Sequence, residues 1–231
     1  MKRRLVLLDI DGTILLSAGA GKRAIHAALA PEVRDPAAFE GIRFDGKTDP
    51  QIVIEMLTGA GQPAPTLERI ELLCARYAGL LEAELALNGH RMRVLPGVGA
   101  LLDRLESESS VVLGLLTGNI ARGAELKLRA AGIARSRFQV GAFGSDAADR
   151  PELPPIAVGR AEPHFGRRPA GEEIVIIGDT PADVTCGRSV GARAIAVATG
   201  SYSTAELSAA GAFAVFQDLG ETELVMEAIL R

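Results

Sequence analysis

The sequence predicts an α/β protein, a doubly wound parallel sheet with an inserted α-helical domain. Three observations predict it. Short, continuous apolar runs recur along the chain, each ended abruptly by Gly, Asp or Thr, as strands buried on both faces of a parallel sheet require. Helical patterns separate most of these runs, and strand–turn–helix alternation marks the doubly wound class. The alternation fails over one long stretch, about residues 16–95, which reads as helix throughout.

The first run, Leu5-Val6-Leu7-Leu8, stops at Asp9-Ile10-Asp11-Gly12. Val111-Val112-Leu113-Gly114-Leu115-Leu116 stops at Thr117-Gly118-Asn119, and Ile174-Val175-Ile176-Ile177 at Gly178-Asp179. Ala194-Ile195-Ala196-Val197 stops near Thr199-Gly200, and Phe213-Ala214-Val215-Phe216 at Asp218. Helices are expected over 98–105, after Pro96-Gly97, and over 120–131, stopped by Gly132. Two more are expected over 181–190, with Pro181 in the first turn and Gly191 beyond the end, and over 221–230. Between residues 16 and 95 the helical segments are 21–29, 50–58 and 67–87. In the last, Leu67, Ile70, Leu73, Cys74, Tyr77, Leu80 and Leu81 recur at helical spacing and form a core-facing stripe. The expected division is therefore a core of residues 1–15 and 96–231, and a helical domain of residues 16–95 placed like a lid over the end of the first strand.

A length of 231 residues suits a core domain with one inserted domain. Hydrophobic residues at 48% and charged residues at 23% are ordinary for a soluble globular chain. The net charge of -4 gives no reason to expect nucleic acid or an anionic membrane as partner, so an anionic substrate needs a local positive site. Cys74 and Cys186 lack CxxC or Cys/His spacing and read as buried apolar residues. The basic start Met1-Lys2-Arg3-Arg4 precedes a run too short for a signal peptide or a membrane span, so the cytoplasm is the expected location.

In open α/β sheets, ligands bind outside the carboxyl ends of the strands. Asp9-Ile10-Asp11-Gly12-Thr13, Thr117-Gly118-Asn119 and Gly178-Asp179-Thr180-Pro181-Ala182-Asp183 all follow strands and so converge on one edge. Crowded carboxylates repel, and a hard divalent cation relieves that; Mg2+ takes few carboxylates together with water and phosphate oxygens. Asp9 and Asp179 are the natural side-chain ligands. Asp9 can also attack phosphorus, while Asp11 protonates the leaving oxygen and later deprotonates water. Thr117 and the backbone N–H groups of Gly118 and Asn119 can hold phosphate oxygens.

These residues resemble the haloacid dehalogenase-like (HAD) hydrolase superfamily, and within it the phosphoglycolate phosphatase-like subgroup with a helical cap. Asp9-x-Asp11-Gly12-Thr13 resembles its first motif, Thr117 its second, and Gly178-Asp179-x-x-x-Asp183 its fourth, in order over nearly the whole chain. The resemblance implies a Rossmann-like core, a cap at 16–95, and a phosphatase acting through an aspartyl-phosphate on Asp9. It implies a metal set drawn from Asp9, Asp11, Asp179 and Asp183, and a phosphate site that includes Gly12 and Thr13. The family's third motif supplies a Lys; here that place reads Asp149-Arg150-Pro151, and no Lys follows Lys127, so Arg150 is the expected substitute. Arg can grip phosphate bidentately but is a larger, planar cation.

Gly46-Lys47-Thr48-Asp49-Pro50 reads as a helix start capped by Thr48 or Asp49, and equally resembles a cap loop that faces the active site, with Lys47 toward substrate. Gly19-Ala20-Gly21-Lys22-Arg23 lacks the spacing of a P-loop, and His26, His90 and His164 lack ligand spacing. The expected substrate is a small phosphorylated metabolite, the expected assembly a monomer or homodimer. A phosphomutase on the same scaffold is the alternative. Carbon–halogen hydrolysis would not need Asp11, a receiver domain would be about half this length and uncapped, and an inert phosphate-binding scaffold would not need the full set of acids.

Overall fold

The structure, a computed structural model, describes residues 3–231; Met1, Lys2 and the side chain of His90 lie outside the described residues. The central strand is β1 (Arg4–Leu8), every residue of which is buried. It pairs in parallel with β4 (Val111–Thr117) on one side and β6 (Ile174–Gly178) on the other. Outside these run β5 (Val140–Phe143), β7 (Arg193–Val197) and β8 (Ala214–Phe216), giving one six-stranded parallel sheet in the order β5-β4-β1-β6-β7-β8.

Successive residues of a strand point to opposite faces, and β1 shows why its run is apolar throughout. Val6 and Leu8 join a cluster with Leu101, Leu102 and Leu105 of α4 (Val98–Ser107), Ala124 and Leu128 of α5 (Ala121–Ala130), and Val225 and Ile229 of α9 (Thr222–Leu230). Leu5 and Leu7 join the opposite cluster, with Leu153, Ala157 and Ala161 of α6 (Leu153–Phe165) and Cys186 of α7 (Pro181–Cys186). A smaller cluster seats Leu207 of α8 (Thr204–Ala209) on Ala194 and Ala196. Helices thus cover both faces, as the doubly wound class requires.

Two core elements escaped the apolar-run reading. β5 contains Gly141 and Ala142, which dilute its run. α6 carries Pro154 and Pro155 in its first turn, where no intrahelical N–H is needed, and Pro163 in its last. The expected helix 181–190 ends as α-helix at Cys186 and continues as a 3-10 turn over Gly187–Val190.

Between residues 17 and 92 the structure holds helices α1 (Ala20–Leu29), α2 (Asp49–Gly59) and α3 (Leu67–Asn88) and no strand among the described residues. The chain enters and leaves this block through a two-stranded antiparallel ribbon, β2 (Leu15–Leu16) against β3 (Arg93–Val94). Ile25, Leu29, Ile52, Met56, Leu73, Tyr77 and Leu81 form its core, which Ile120 and Leu126 of the sheet side complete. The helical block is therefore packed onto the core, chiefly on α5. Gly19 to Arg23 is the start of α1, not a phosphate loop. Cys74 and Cys186 are both free and buried. His26 packs against the rings of Phe39 and Phe44. No described helix is long and apolar enough to cross a membrane.

Candidate active site

Asp9 lies just past the end of β1, its backbone N–H held by the Ile177 carbonyl at 2.9 Å. That bond fixes the first residue beyond the strand, so the carboxylate projects from the carboxyl edge of the sheet. The side chain is buried, and burial pushes its carboxyl up to about 6, against the opposing pull of Arg150. The Thr117 hydroxyl hydrogen-bonds to it and favours the ionised form.

Asp179 follows β6 and receives a bond from the Thr13 hydroxyl at 3.3 Å. Burial, then Asp183 and Asp9, push its carboxyl up to about 9. The backbone crowds it from two sides: a Cβ on Gly12 would lie 2.2 Å from Asp179 Oδ2, and one on Gly200 only 1.8 Å away. Gly12 also sits at φ 83°, where a side chain is strained. Glycine at both positions is thus a condition for Asp179 to reach the site. Asp183 sits in the first turn of α7. Its Oδ2 accepts from the Thr180 N–H at 3.0 Å and the Thr180 hydroxyl at 2.7 Å in a reciprocal cap, and its Oδ1 accepts from Arg150.

Arg150 is buried between these acids, bonded to Asp183 and 3.3 Å from Asp9 Oδ1. Burial disfavours its charge, but Asp183 and Asp9 more than offset this and hold it above its ordinary value. Its Nε has no partner among the described groups. The structure thus places the sequence's Arg150 beside the candidate nucleophile, with one donor unspent.

Asp9, Asp179 and Asp183 each offer an oxygen within 4.8 Å of the others, a set that could hold a metal ion. The fit is good for a hard cation: all donors are carboxylate oxygens, and burial, with the neighbouring acids, raises the carboxyls of Asp9 and Asp179. Within the set, Asp9 and Asp179 are the freer ligands, since both oxygens of Asp183 already have partners. Asp11 lies outside this set. Its Oδ2 accepts from Lys127 at 2.6 Å and from Asn119 Nδ2 at 2.8 Å, and its Oδ1 from Ser17 at 3.5 Å. The side chain expected among the metal ligands thus stands apart from the grouped acids.

Thr117 and Asn119 are buried at the end of β4. Asn119 Nδ2 also donates to Thr117 Oγ1 at 2.8 Å, so one amide ties Thr117 to Asp11. Gly118 makes one of the contacts between the sheet edge and the helical block. Its carbonyl accepts from the Asp49 N–H at 2.8 Å, and a Cβ on it would lie 2.0 Å from the Lys47 carbonyl. Thr48 caps α2, accepting from the Gln51 N–H at 3.1 Å. Lys47 pairs with Glu55 of α2 and lines the cavity. The Gly46 to Asp49 segment is therefore both a helix start and a wall of the site.

The cavity has a volume of about 300 Å3. Asp9, Asp11, Thr117, Arg150 and Asp179 form its floor, and Lys22, Phe44, Lys47 and Tyr77 of the helical block lie across from them. Sequence reasoning missed Lys127 and read Asp49 only as an alternative cap, whereas Thr48 caps α2. Asp49 is buried, and burial pushes its carboxyl up to about 6; its Oδ2 accepts from the Ile120 N–H at 2.8 Å at the start of α5. Lys127 had a legible signal: it stands at helical spacing from Gly123 and Ala124, on the buried face of α5. The loop after β7 was also passed over, yet the Thr199 hydroxyl bonds the Gly12 carbonyl and Gly200 abuts Asp179.

Residues 152–222 match a family described as HAD-hydrolase-like. No curated protein matches the chain in sequence. Solved structures match it over nearly its whole length. A hydrolase from Pseudomonas syringae is 22% identical, with 98% of each chain covered and a TM-score of 0.70. CbbY from Rhodobacter sphaeroides, in complex with phosphate, is 20% identical, covering 95% of this chain and 96% of its own, with a TM-score of 0.71. A predicted phosphoglycolate phosphatase from Haemophilus somnus is 18% identical, with 98% and 99% covered and a TM-score of 0.67. The fold is thus that of these proteins, and the matched segment, which carries the Gly178 to Asp183 motif, is HAD-hydrolase-like.

Proposed function

We propose that this HAD-like chain is a Mg2+-dependent phosphatase that hydrolyses a small phosphomonoester through an aspartyl-phosphate on Asp9. The observation that carries the reading is the surroundings of Asp9. One buried carboxylate at a strand end meets a cation, a hydroxyl and a second acid two residues on, with further acids suited to a metal.

Asp9 and Asp179 would hold Mg2+, which would supply positive charge to offset that of the phosphate. Asp9 Oδ attacks phosphorus, the phosphorus–ester oxygen bond breaks, and Asp11 gives its proton to the departing oxygen. Asp11 then takes a proton from water, whose oxygen attacks the same phosphorus and restores the Asp9 carboxylate as phosphate leaves. Thr117, Arg150 and the N–H groups after β4 hold the phosphoryl oxygens as charge develops on them. Gly12 and Thr13 set the turn that aims Asp11 and supports Asp179.

The cavity of about 300 Å3 supports a metabolite-sized substrate, with phosphoglycolate-like esters the first to try. The proposed cap is residues 16–95, with Lys47 facing the leaving group, and the proposed setting is the cytoplasm. Turnover of a panel of phosphate esters with and without Mg2+ tests the reaction. Asp9→Asn should abolish it while the protein stays folded. Asp11→Asn should accumulate protein bearing one added phosphoryl group in intact-mass spectra. Full activity in Asp9→Asn would sink the mechanism. Phosphate release that requires a sugar bisphosphate would instead indicate a phosphomutase.

A further inference from the structure

Lys127 takes no part in the scheme above, yet its ammonium is the best-connected cation in the cavity after Arg150. It stands on α5, a helix of the sheet side, and is only 4% exposed. A lysine held this far from water needs partners that recover its lost hydration. Its Nζ donates to Asp11 Oδ2 at 2.6 Å and to Asn119 Oδ1 at 2.5 Å. The Asn119 amide nitrogen then donates at 2.8 Å to Asp11 Oδ2 and at 2.8 Å to Thr117 Oγ1. Lysine, amide and carboxylate close a three-membered ring of bonds, and Thr117 anchors it to the end of β4. The ring leaves Asp11 little freedom to turn away from the cavity.

The helical block encloses the other side of this ammonium. A Cβ on Gly21 of α1 would stand in ordinary contact with Lys127 Nζ, 3.4 Å away, and with the Tyr77 hydroxyl of α3, 3.5 Å away, so both helices close over the ammonium. The Lys127 charge also acts on the buried Asp49 carboxylate of α2. Asp49 is itself bonded to the Ile120 N–H that opens α5.

We propose that Lys127 is a positioning residue for Asp11: with Asn119 it holds the acid/base beside the phosphate site, and elements of the helical block keep Lys127 in place. The inference rests on the phosphatase reading for its consequence, though not for its geometry. It divides the positive charges between the two acids. Arg150 serves Asp9 and Asp183, and Lys127 serves Asp11. Arg150 therefore replaces the third-motif lysine only at Asp9.

The test compares an alkyl phosphate with p-nitrophenyl phosphate. The alkyl oxygen needs a proton to leave; the nitrophenolate needs almost none. In single turnover, Lys127→Met should slow phosphoryl transfer from the alkyl ester by about a hundredfold, the scale of a mispositioned reacting group. Transfer from the aryl ester should stay near the parent rate, and a crystal structure of the variant should show Asp11 moved off Asn119. Lys127→Arg keeps the charge and so protects the fold if the methionine variant does not fold. Its planar fork cannot reproduce a point donor between two oxygens, so it should show the same contrast in smaller degree. Equal losses on both esters, or parent rates on both, would overturn the proposal. Asp11 still bonded to Asn119 in the variant crystals would overturn it whatever the activity. A parent protein that turns over no ester would refute the phosphatase reading instead, and the crystal structures would still decide where Lys127 holds Asp11.

Discussion

Replacing Arg150 with alanine tests the third-motif substitution directly. The guanidinium is 4% exposed and bonds Asp183 while standing 3.3 Å from Asp9. Arg150→Ala leaves Asp9 and Asp183 in place without their shared cation. Removing one member of a buried ion pair costs about 3–5 kcal/mol. The lower end, about 3 kcal/mol, is expected here, because Asp183 keeps both bonds to Thr180 and water can enter the vacated volume. For a chain of this size that is a fall in Tm of roughly 6–12 °C. Two kinetic effects should accompany it. Losing a charge-stabilising donor lowers kcat/KM by about a hundredfold or more. Arg150 also pulls the Asp9 carboxyl down from the value that burial alone would give, so its loss moves that carboxyl upward. Attack needs the ionised form, so the acid limb of the kcat/KM profile on an aryl phosphate should move to higher pH. Arg150→Lys should recover part of the rate as a point charge. Melting curves, together with pH profiles at saturating Mg2+, read all of these outcomes. A variant that melts lower yet keeps the parent's acid limb and kcat/KM would show that Arg150 is only structural, and the assignment would fail.

Other consequences follow from the same geometry. Burial pushes Asp9 and Asp49 up to about 6 and Asp179 up to about 9. Between their unfolded values near 4 and these folded values, the folded state binds more protons than the unfolded, so without metal its stability should fall as pH rises from about 4 to about 9. Mg2+ binds the ionised acids and should raise Tm more at about pH 8 than at about pH 5, in melts with and without chelator; equal gains at both would refute the metal assignment. Gly118→Ala should push the Gly46 to Asp49 segment off the sheet edge, since the new methyl would lie 2.0 Å from the Lys47 carbonyl; faster hydrogen exchange at the start of α2 reads this, and unchanged exchange would count against the contact. Lys47→Ala should weaken kcat/KM for an ester with an anionic leaving group and spare an aryl phosphate, whereas equal losses would make the Lys47–Glu55 pair structural.

The strand-end acids were legible because their logic is one-dimensional. A buried parallel strand must be apolar for its whole length, so the first polar residue beyond it marks the ligand edge, as Asp9, Thr117 and Asp179 do. Elements whose sequence breaks such rules were hidden. β5 is short and holds a glycine, and α6 carries two prolines in its first turn and a third, Pro163, inside the helix, where proline usually argues against helix. The cap loop stayed open between capping and substrate contact, and both features coexist: Thr48 caps α2 while Lys47 lines the cavity.

The fold class, the helical run between the first two apolar runs and the edge carrying Asp9, Thr117 and Asp179 could be read along the chain, and so could Arg150 as a candidate cation, which lies 3.3 Å from Asp9. Periodicity and turn chemistry act between near neighbours, so they are written along the chain. Which acid meets which cation was decided only in three dimensions. Asp11 is two residues from Asp9, yet its side chain joins Lys127 and Asn119, 116 and 108 positions away. The pairing follows from the packing of α5 against the helical block, which brings a buried ammonium up to a part-exposed carboxylate from a distant segment, and that carboxylate offsets the ammonium's lost hydration.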